Sequence, residues 1–239
     1  MPRSLESLLI PCLSVAVPFR CPVCGKPPFD GSPGMFCADC LESLPFIAPP
    51  YCPGCGGSMD GILDVCPKCL HQPPRPWEQA FSLFSMEGNA RLAIMMLKYR
   101  GRPEFARAIG RLLGDKLKRE LPCHVDMIVP VPLHWTRFVQ RGFNQADLIC
   151  RGISAELGVP VVRALRRCRR TRQQAHLSRK ERILNLTGAF SPTDSKKCEK
   201  RAILIVDDVL TTGTTLATAA AALLDAGASE VFAVSAARR

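Results

Sequence analysis

No stretch of this 239-residue chain is apolar for long enough to cross a bilayer: its longest near-apolar run, Leu8 to Phe19, is well short of the roughly 20 residues a span requires. That run also lacks the marks of a secretory signal. Pro11 interrupts it, Arg3 is the one basic residue before it, and no small-x-small cleavage site follows, so it reads as a short packing segment in a soluble, cytoplasmic protein. The composition of a disordered chain is missing too, since 47% of residues are hydrophobic and 22% charged. Acidic residues are scarce beside basic ones: 21 Asp and Glu against 32 Lys and Arg leave +11, which predicts anionic partners such as phosphate esters or nucleic acid.

The front of the chain lacks that charge. Residues 1–76 hold 5 basic and 6 acidic side chains, whereas residues 77–239 hold 27 and 15. The front part also carries 15 of the 21 prolines and 9 of the 13 cysteines. This break in composition predicts two units, residues 1–76 and 77–239, divided in the Pro-rich stretch His71–Trp77.

Four Cys-x-x-Cys pairs follow one another in the front unit: Cys21/Cys24, Cys37/Cys40, Cys52/Cys55 and Cys66/Cys69. Two residues between thiolates let one tight knuckle present both sulfurs to a tetrahedral metal, and two knuckles complete a four-cysteine zinc site. Three pairs carry Pro after the first Cys and two are followed by Gly, which suits the turn beneath the sulfurs. Eight ligands predict two zinc ions. The spacing favours sequential grouping, 21/24/37/40 and 52/55/66/69, with an interleaved cross-brace as the alternative. A disulfide framework would need an oxidising compartment, for which the sequence offers no address. A unit this small has little core of its own, so the zinc is expected to be structural, its binding supplying folding free energy. No His or carboxylate is spaced to leave an open catalytic position. Cys12, Cys123, Cys150, Cys168 and Cys198 lack such spacing and read as ordinary thiols.

Beyond residue 124, β-branched runs alternate with helical stretches, the pattern of a parallel sheet with crossover helices. Asp126–Val131, Val159–Val162, Ala202–Val206 and Val231–Ser235 read as strands; Leu92–Lys98, Phe105–Lys118, Asn144–Glu156 and Thr214–Ala226 read as helices, the last closed by Gly227. Between a strand and that last helix lies Asp207-Asp208-Val209-Leu210-Thr211-Thr212-Gly213-Thr214-Thr215. A strand opening through Gly and hydroxyl residues onto a helix N-terminus is an anion site, where backbone N–H groups and Thr hydroxyls converge. Carboxylates repel phosphate, so two acids beside such a cradle point to hydroxyl groups or to a Mg2+ carried in with the ligand. Phosphate, diol and metal together describe a phosphorylated ribose. An Asp N-cap before a Thr-rich turn is the plainer alternative, and it does not account for the whole motif.

These residues resemble a known family. IVDDVLTTGTT looks like the phosphoribosyl pyrophosphate (PRPP) motif of type I phosphoribosyltransferases. The cysteine knuckles, LKYRG at 97–101, VPVPLHWTRFVQRGFNQA at 129–146, Gln174, Leu177, Arg182 and Asn185, and this loop together resemble the ComF family of competence-associated proteins over nearly the whole chain. The resemblance implies an α/β fold, a type I phosphoribosyltransferase-like parallel sheet flanked by helices, with a small N-terminal zinc-ribbon module. It implies Asp207 and Asp208 as catalytic acids at the ribose hydroxyls, Thr211, Thr212, Gly213, Thr214 and Thr215 around the 5-phosphate, and a pyrophosphate loop at Val131–Pro132–Leu133 with Arg141 nearby. PRPP with Mg2+ is the implied ligand, transfer of a phosphoribosyl group to a nitrogen nucleophile the implied chemistry, and DNA uptake the implied setting, with proteins of the competence machinery as partners. Glutamine-dependent chemistry, which in a similar family needs a further domain with a nucleophilic Cys, is not expected.

Residues 163–182 hold nine Lys or Arg and one acid, Glu181. Such a run is a candidate polyphosphate or nucleic-acid binder. The reading favoured over nucleic-acid contact is a loop closing over the active site, where Arg grips pyrophosphate, and one segment could serve both. No aromatic interrupts it, so the stacking platform of single-strand binders is absent from the run itself. Arg137, Arg141, Lys98 and Arg100 are further cations near the predicted site. The competing function class is therefore a non-enzymatic factor that handles single-stranded DNA on its basic surface.

Overall fold

A computed structural model describes residues 20–28, 36–99, 103–168 and 188–239. The Leu8–Phe19 run, Cys12, Arg100, and residues 169–182 of the basic stretch with Gln174, Leu177, Arg182 and Asn185 lie outside the described residues.

The elements run α1 (Ala38–Glu42), α2 (Pro67–Leu70), β1 (Ala80–Ser85), α3 (Gly88–Tyr99), α4 (Pro103–Glu120), β2 (Met127–Pro130), α5 (Trp135–Arg141), α6 (Gln145–Leu157), β3 (Leu165–Arg167), β4 (Phe190–Pro192), a 3-10 turn (Ser195–Lys197), β5 (Ala202–Leu210), α7 (Thr214–Asp225) and β6 (Glu230–Arg238). Strands β1, β6, β5 and β2 pair in that order, all parallel, and β3 and β4 form a separate antiparallel pair. The expected parallel sheet with flanking helices is present. Ile203, Leu204, Ile205 and Val206 are all fully buried, as strands covered on both faces must be.

Period-two alternation divides the sheet's side chains between two cores. Phe81, Leu83, Ile128, Leu204, Val206, Phe232 and Val234 join α3, α4 and α6 on one face. Met127, Val129, Ile203, Ile205, Val231 and Ala233 join α7 on the other. Helices α4 and α6 touch through glycine. A Cβ on Gly110 would overlap Ile149 O and come within 2.8 Å of Gly152 Cα, so no larger residue fits without moving backbone.

Residues on both sides of Trp77 share these cores. Cys21, Cys37 and Cys40 lie with the α3/α4/α6 face, and Cys52, Cys55, Cys66 and Cys69 with the α7 face. The chain between the two cysteine groups runs along edge strand β1, with Ile47 N bonded to Leu83 O at 2.9 Å and Ser85 N to Pro45 O at 2.9 Å. This covers an edge that would otherwise invite foreign strands.

Three sequence expectations differ in extent. Val159–Val162 makes an isolated parallel bridge, Ile128 to Val161, instead of a strand, because Pro160 cannot donate and the ladder stops. The strand expected to end at Val206 continues to Leu210, since the long partner β6 keeps pairing through Val209–Ala237 and Leu210–Arg238. Helix α5 fills a segment to which the sequence pattern assigns no element, capped by His134 and closed by left-handed Gly142. Among the described residues, no helix is long and apolar enough to cross a membrane.

Candidate functional site

The eight knuckle cysteines gather as two clusters, Cys21/Cys24/Cys37/Cys40 and Cys52/Cys55/Cys66/Cys69, with the ligand atoms of each within 4.8 Å of one another. This is the sequential grouping. Within the clusters Cys24 Sγ lies 3.5 Å from Cys37 Sγ, and Cys55 Sγ 3.7 Å from Cys66 Sγ. Four sulfurs at about 2.3 Å from one zinc stand about 3.8 Å apart, so the donor sets fit the metal. None of the eight is in a disulfide, and all but Cys24 are buried. Local dipoles already favour thiolate at one sulfur of each cluster. The hydrogen bond from Cys69 outweighs burial and brings Cys55 down to about 5, helped by the Arg238 charge. At Cys21 burial opposes backbone hydrogen bonds, which win and bring it to about 7. Cys123, Cys150, Cys168 and Cys198 stand apart from both clusters.

Strand β5 carries Asp207 and Asp208 as its last polar pair before the loop. Alternation gives each acid a different neighbourhood. Lys98, in the last turn of α3, places Nζ 3.0 Å from Asp208 Oδ2, both side chains being largely buried. Asp207 Oδ1 accepts from the Asp208 backbone N–H at 2.8 Å. Burial, and then the adjacent Asp208 charge, push Asp207 up to about 7, although Lys98 and Arg167 oppose the shift. A carboxyl held near neutrality beside a second, ion-paired carboxylate is a common signature of a ligand-binding site.

After Leu210 the chain turns through Thr211 and Thr212 to Gly213, whose φ of +75° favours glycine, and enters α7. No side chain caps α7 through a hydrogen bond, which suits an anion at its N-terminus. Thr212 Oγ1 and Thr214 Oγ1 are 2.9 Å apart and Thr218 Oγ1 bonds to Thr214 O at 2.9 Å, so hydroxyls line this turn. The acids and the Thr/Gly turn are thus one continuous corner of the sheet.

The expected pyrophosphate loop lies beside that corner. Val131 N donates to Val206 O at 2.9 Å, one residue before Asp207, and Asn144 Nδ2 donates to Val131 O at 3.0 Å while capping α6 through Ala146 N. Arg141 closes α5 and donates to Gln145 Oε1 at 3.2 Å, which places it at the α5–α6 corner.

Two arginines escaped the sequence reading. Arg75 Nη2 donates to Thr212 O at 2.8 Å, and a Cβ on Gly213 would lie 2.9 Å from Arg75 Nη1. Arg238 Nη2 lies 3.6 Å from Cys66 Sγ, at a position paired in register with Leu210. Arg75 sits among the prolines of the predicted boundary, where composition signals a linker and nothing signals a contact 137 residues away. Arg238 is one basic residue of many near a chain end.

Residues 98–239 match the phosphoribosyl transferase domain family, and residues 12–74 the double zinc ribbon domain family. The chain is 35% identical over 225 residues to the DNA utilization protein YhgH of Escherichia coli (strain K12), covering 91% of this chain and 96% of that protein. It is 31% identical over 201 residues to competence protein F of Haemophilus influenzae, covering 82% and 86%. Competence protein ComFC of Bacillus subtilis is 27% identical over 196 residues, covering 80% and 78%. Among solved structures, the glutamine PRPP amidotransferase of B. subtilis is similar over 59% of this chain, at 22% identity and a TM-score of 0.41, and this chain spans 30% of that one. The adenine phosphoribosyltransferase of Leishmania tarentolae is similar over 66% of this chain and 91% of its own, at 15% identity and a TM-score of 0.39.

Proposed function

The chain belongs to the ComF family, with a phosphoribosyl transferase domain behind a double zinc ribbon, and on that premise we propose that it binds PRPP with Mg2+ and transfers the phosphoribosyl group. One observation carries this reading: β5 delivers two acids, one near neutrality and one paired to Lys98, into a glycine turn that opens an uncapped helix. In it Thr211, Thr212, Gly213, Thr214 and Thr215 cradle the 5-phosphate, Asp207 and Asp208 accept from the ribose hydroxyls, and Val131–Leu133 with Arg141 receives the pyrophosphate. The oxygen donors of Asp207 and Asp208 would also suit Mg2+, which would supply neutralising charge for the pyrophosphate leaving group. As positive charge develops at the anomeric carbon, an ionised Asp207 stabilises it through the ribose.

In the same reading the two cysteine clusters hold one structural zinc each, residues 1–76 form the zinc-ribbon unit and residues 77–239 the transferase unit, and the protein works in the cytoplasm. Titrating Mg2+ and PRPP into zinc-loaded protein by calorimetry tests it. Saturable binding that falls at least tenfold in D207N/D208N is expected, since hydrogen bonds to charged groups are worth about 1.5–3 kcal/mol. Parent-like affinity in that variant overturns it.

A second reading, single-stranded DNA on the basic surface, is favoured by helix α5. Trp135 is 70% and Phe138 51% exposed there, with Arg137 between them, which supplies stacking rings beside a cation. The named relatives concern competence and DNA utilization. Trp77 is buried, so fluorescence quenching by oligonucleotide reports Trp135 directly. Quenching that persists in W135F refutes contact at α5.

A further inference from the structure

The second cysteine cluster and the Thr/Gly turn are tied together by two arginines, and we propose that Arg75 is a positioning residue through which metal loading of that cluster sets the conformation of the turn. The inference takes Thr211–Thr215 as the phosphate cradle and so rests on the reading above.

Helix α2 contributes Cys69, and Cys66 is its N-cap. The chain leaves α2 with Gln72 N bonded to Cys69 O at 2.9 Å. Three residues later the Arg75 guanidinium uses one nitrogen, Nη2, for both Gln72 Oε1 at 2.6 Å and Thr212 O at 2.8 Å. Pro73, Pro74 and Pro76 surround it, fixing their own φ angles and biasing their neighbours to extended backbone. The buried Trp77 ring lies 5.5 Å from the guanidinium carbon, so the fork stands on a fixed platform. Arg75 is therefore held from the cluster side, and its position follows that of the knuckle.

Its grip on the turn acts on one peptide plane. With Thr212 O held toward Arg75, the trans peptide aims the Gly213 N–H the opposite way. The guanidinium also fills the space in which a Gly213 side chain would stand, with Nη1, Cζ and Nη2 at 2.9, 3.1 and 3.2 Å from an added Cβ. Glycine is needed there twice over, for its φ and for Arg75. Nε of Arg75 is buried with no partner among the described residues, which leaves the cation with a donor to spare beside a site meant for an anion.

The second tie acts one step earlier. Arg238 reaches Cys66 Sγ, a Cβ on Gly57 would lie 3.0 Å from its Nε, and Arg239 N donates to Leu210 O at 3.0 Å. The turn is thus fastened at Leu210 through the end of β6 and at Thr212 through Arg75, and both fastenings run to the same knuckles. The first cluster lies on the other face of the sheet. By thermodynamic linkage, a conformation shared by zinc and ligand makes each tighten the other.

The test uses the zinc-loaded full chain, its R75A and R75K variants, and zinc content as the control for folding. Hydrogen exchange over residues 209–217 should rise several-fold in R75A, with α4 and β2 protected as in the parent and both zincs retained; R75K, with a flexible point charge, should restore protection in part. PRPP affinity should fall about tenfold in R75A, and PRPP should slow release of half the zinc to a colorimetric chelator in the parent but not in R75A. Unchanged exchange in the turn overturns the proposal, as does a rise spread equally over α4 and β2, which would make Arg75 a stability residue. Unaltered zinc release in a parent that binds PRPP overturns the coupling. If the parent takes no PRPP while exchange in the turn still answers to Arg75, the positioning role stands and the ligand reading fails.

Discussion

Replacing Asp207 with Asn should make the protein more stable and less able to bind its ligand, with a pH dependence that identifies the cause. Burial and the Asp208 charge raise this carboxyl from its ordinary 3.8 to about 7 in the folded protein. The folded state therefore binds a proton that the unfolded chain has released between about pH 4 and 7, so stability falls as pH rises through that window. At about 1.36 kcal/mol per pH unit the ceiling is about 4 kcal/mol. The carboxyl is partly exposed at the strand end and Asp208 already has Lys98, so relaxation and water reduce this to about 1–2 kcal/mol. Asn cannot ionise and keeps a carbonyl oxygen for the Asp208 N–H. For a chain of this size, 1 kcal/mol moves the melting temperature by about 2–4 °C. Ligand-free D207N should thus melt about 3–6 °C above the parent at pH 8, with the gap narrowing as pH falls and closing only near pH 4, while PRPP affinity falls. Binding sites commonly trade stability for function in this way. Equal melting at pH 8, or a gap that does not change with pH, refutes the argument that the site holds a strained carboxylate.

Elemental analysis of anaerobically purified protein should return two zincs per chain, and chelation should destabilise the whole sheet, because both clusters are embedded in its cores; less than one zinc refutes the assignment. G213V should weaken both PRPP and inorganic phosphate, since Val must adopt a φ of +75° and displace Arg75; phosphate binding equal to the parent's, seen by calorimetry, counts against the cradle. Replacing Arg166, Arg167, Arg169 and Arg170 with Ala should flatten the salt dependence of single-strand binding by about 0.7 in log–log slope per lost phosphate contact. An unchanged slope shows that these residues touch no phosphate.

Much of the site was legible because its signals are local. A Cys-x-x-Cys knuckle needs two residues of spacing, and a phosphate turn needs Gly, Thr and a helix start, all within one short segment. The zinc clusters and the Asp207–Thr215 corner could therefore be read without knowing what surrounds them. What escaped depends on distant chain. Strand β1 is a six-residue run whose partner, β6, is distant in sequence, and β5 passes Val206 because β6 is long enough to pair with it. Lys98 could be suspected but not assigned, since any exposed helix end looks alike until Asp208 is placed opposite it. Helix α5 did carry a local signal, Gly142 after Arg141, but its apolar residues face outward and break the amphipathic pattern that reveals a helix.

The Pro-rich stretch shows why composition misleads at such a place. Prolines are frequent in linkers because they cannot join a ladder, and that same property stiffens a segment that must hold one side chain at a fixed distance from a metal knuckle. The stretch from His71 to Trp77 does the second thing. It carries Arg75 from Cys69 to Thr212 and seats Trp77 in the core of the α7 face. A boundary in composition can thus be a strut in structure. The two cysteine clusters, alike in sequence, need not be alike in consequence: the first packs beneath the face that carries Lys98, and the second is linked through Arg75 and the end of β6 to the Thr/Gly turn. Loss of metal from the second should be felt at the ligand site before the helices respond, an order of events that hydrogen exchange can follow segment by segment.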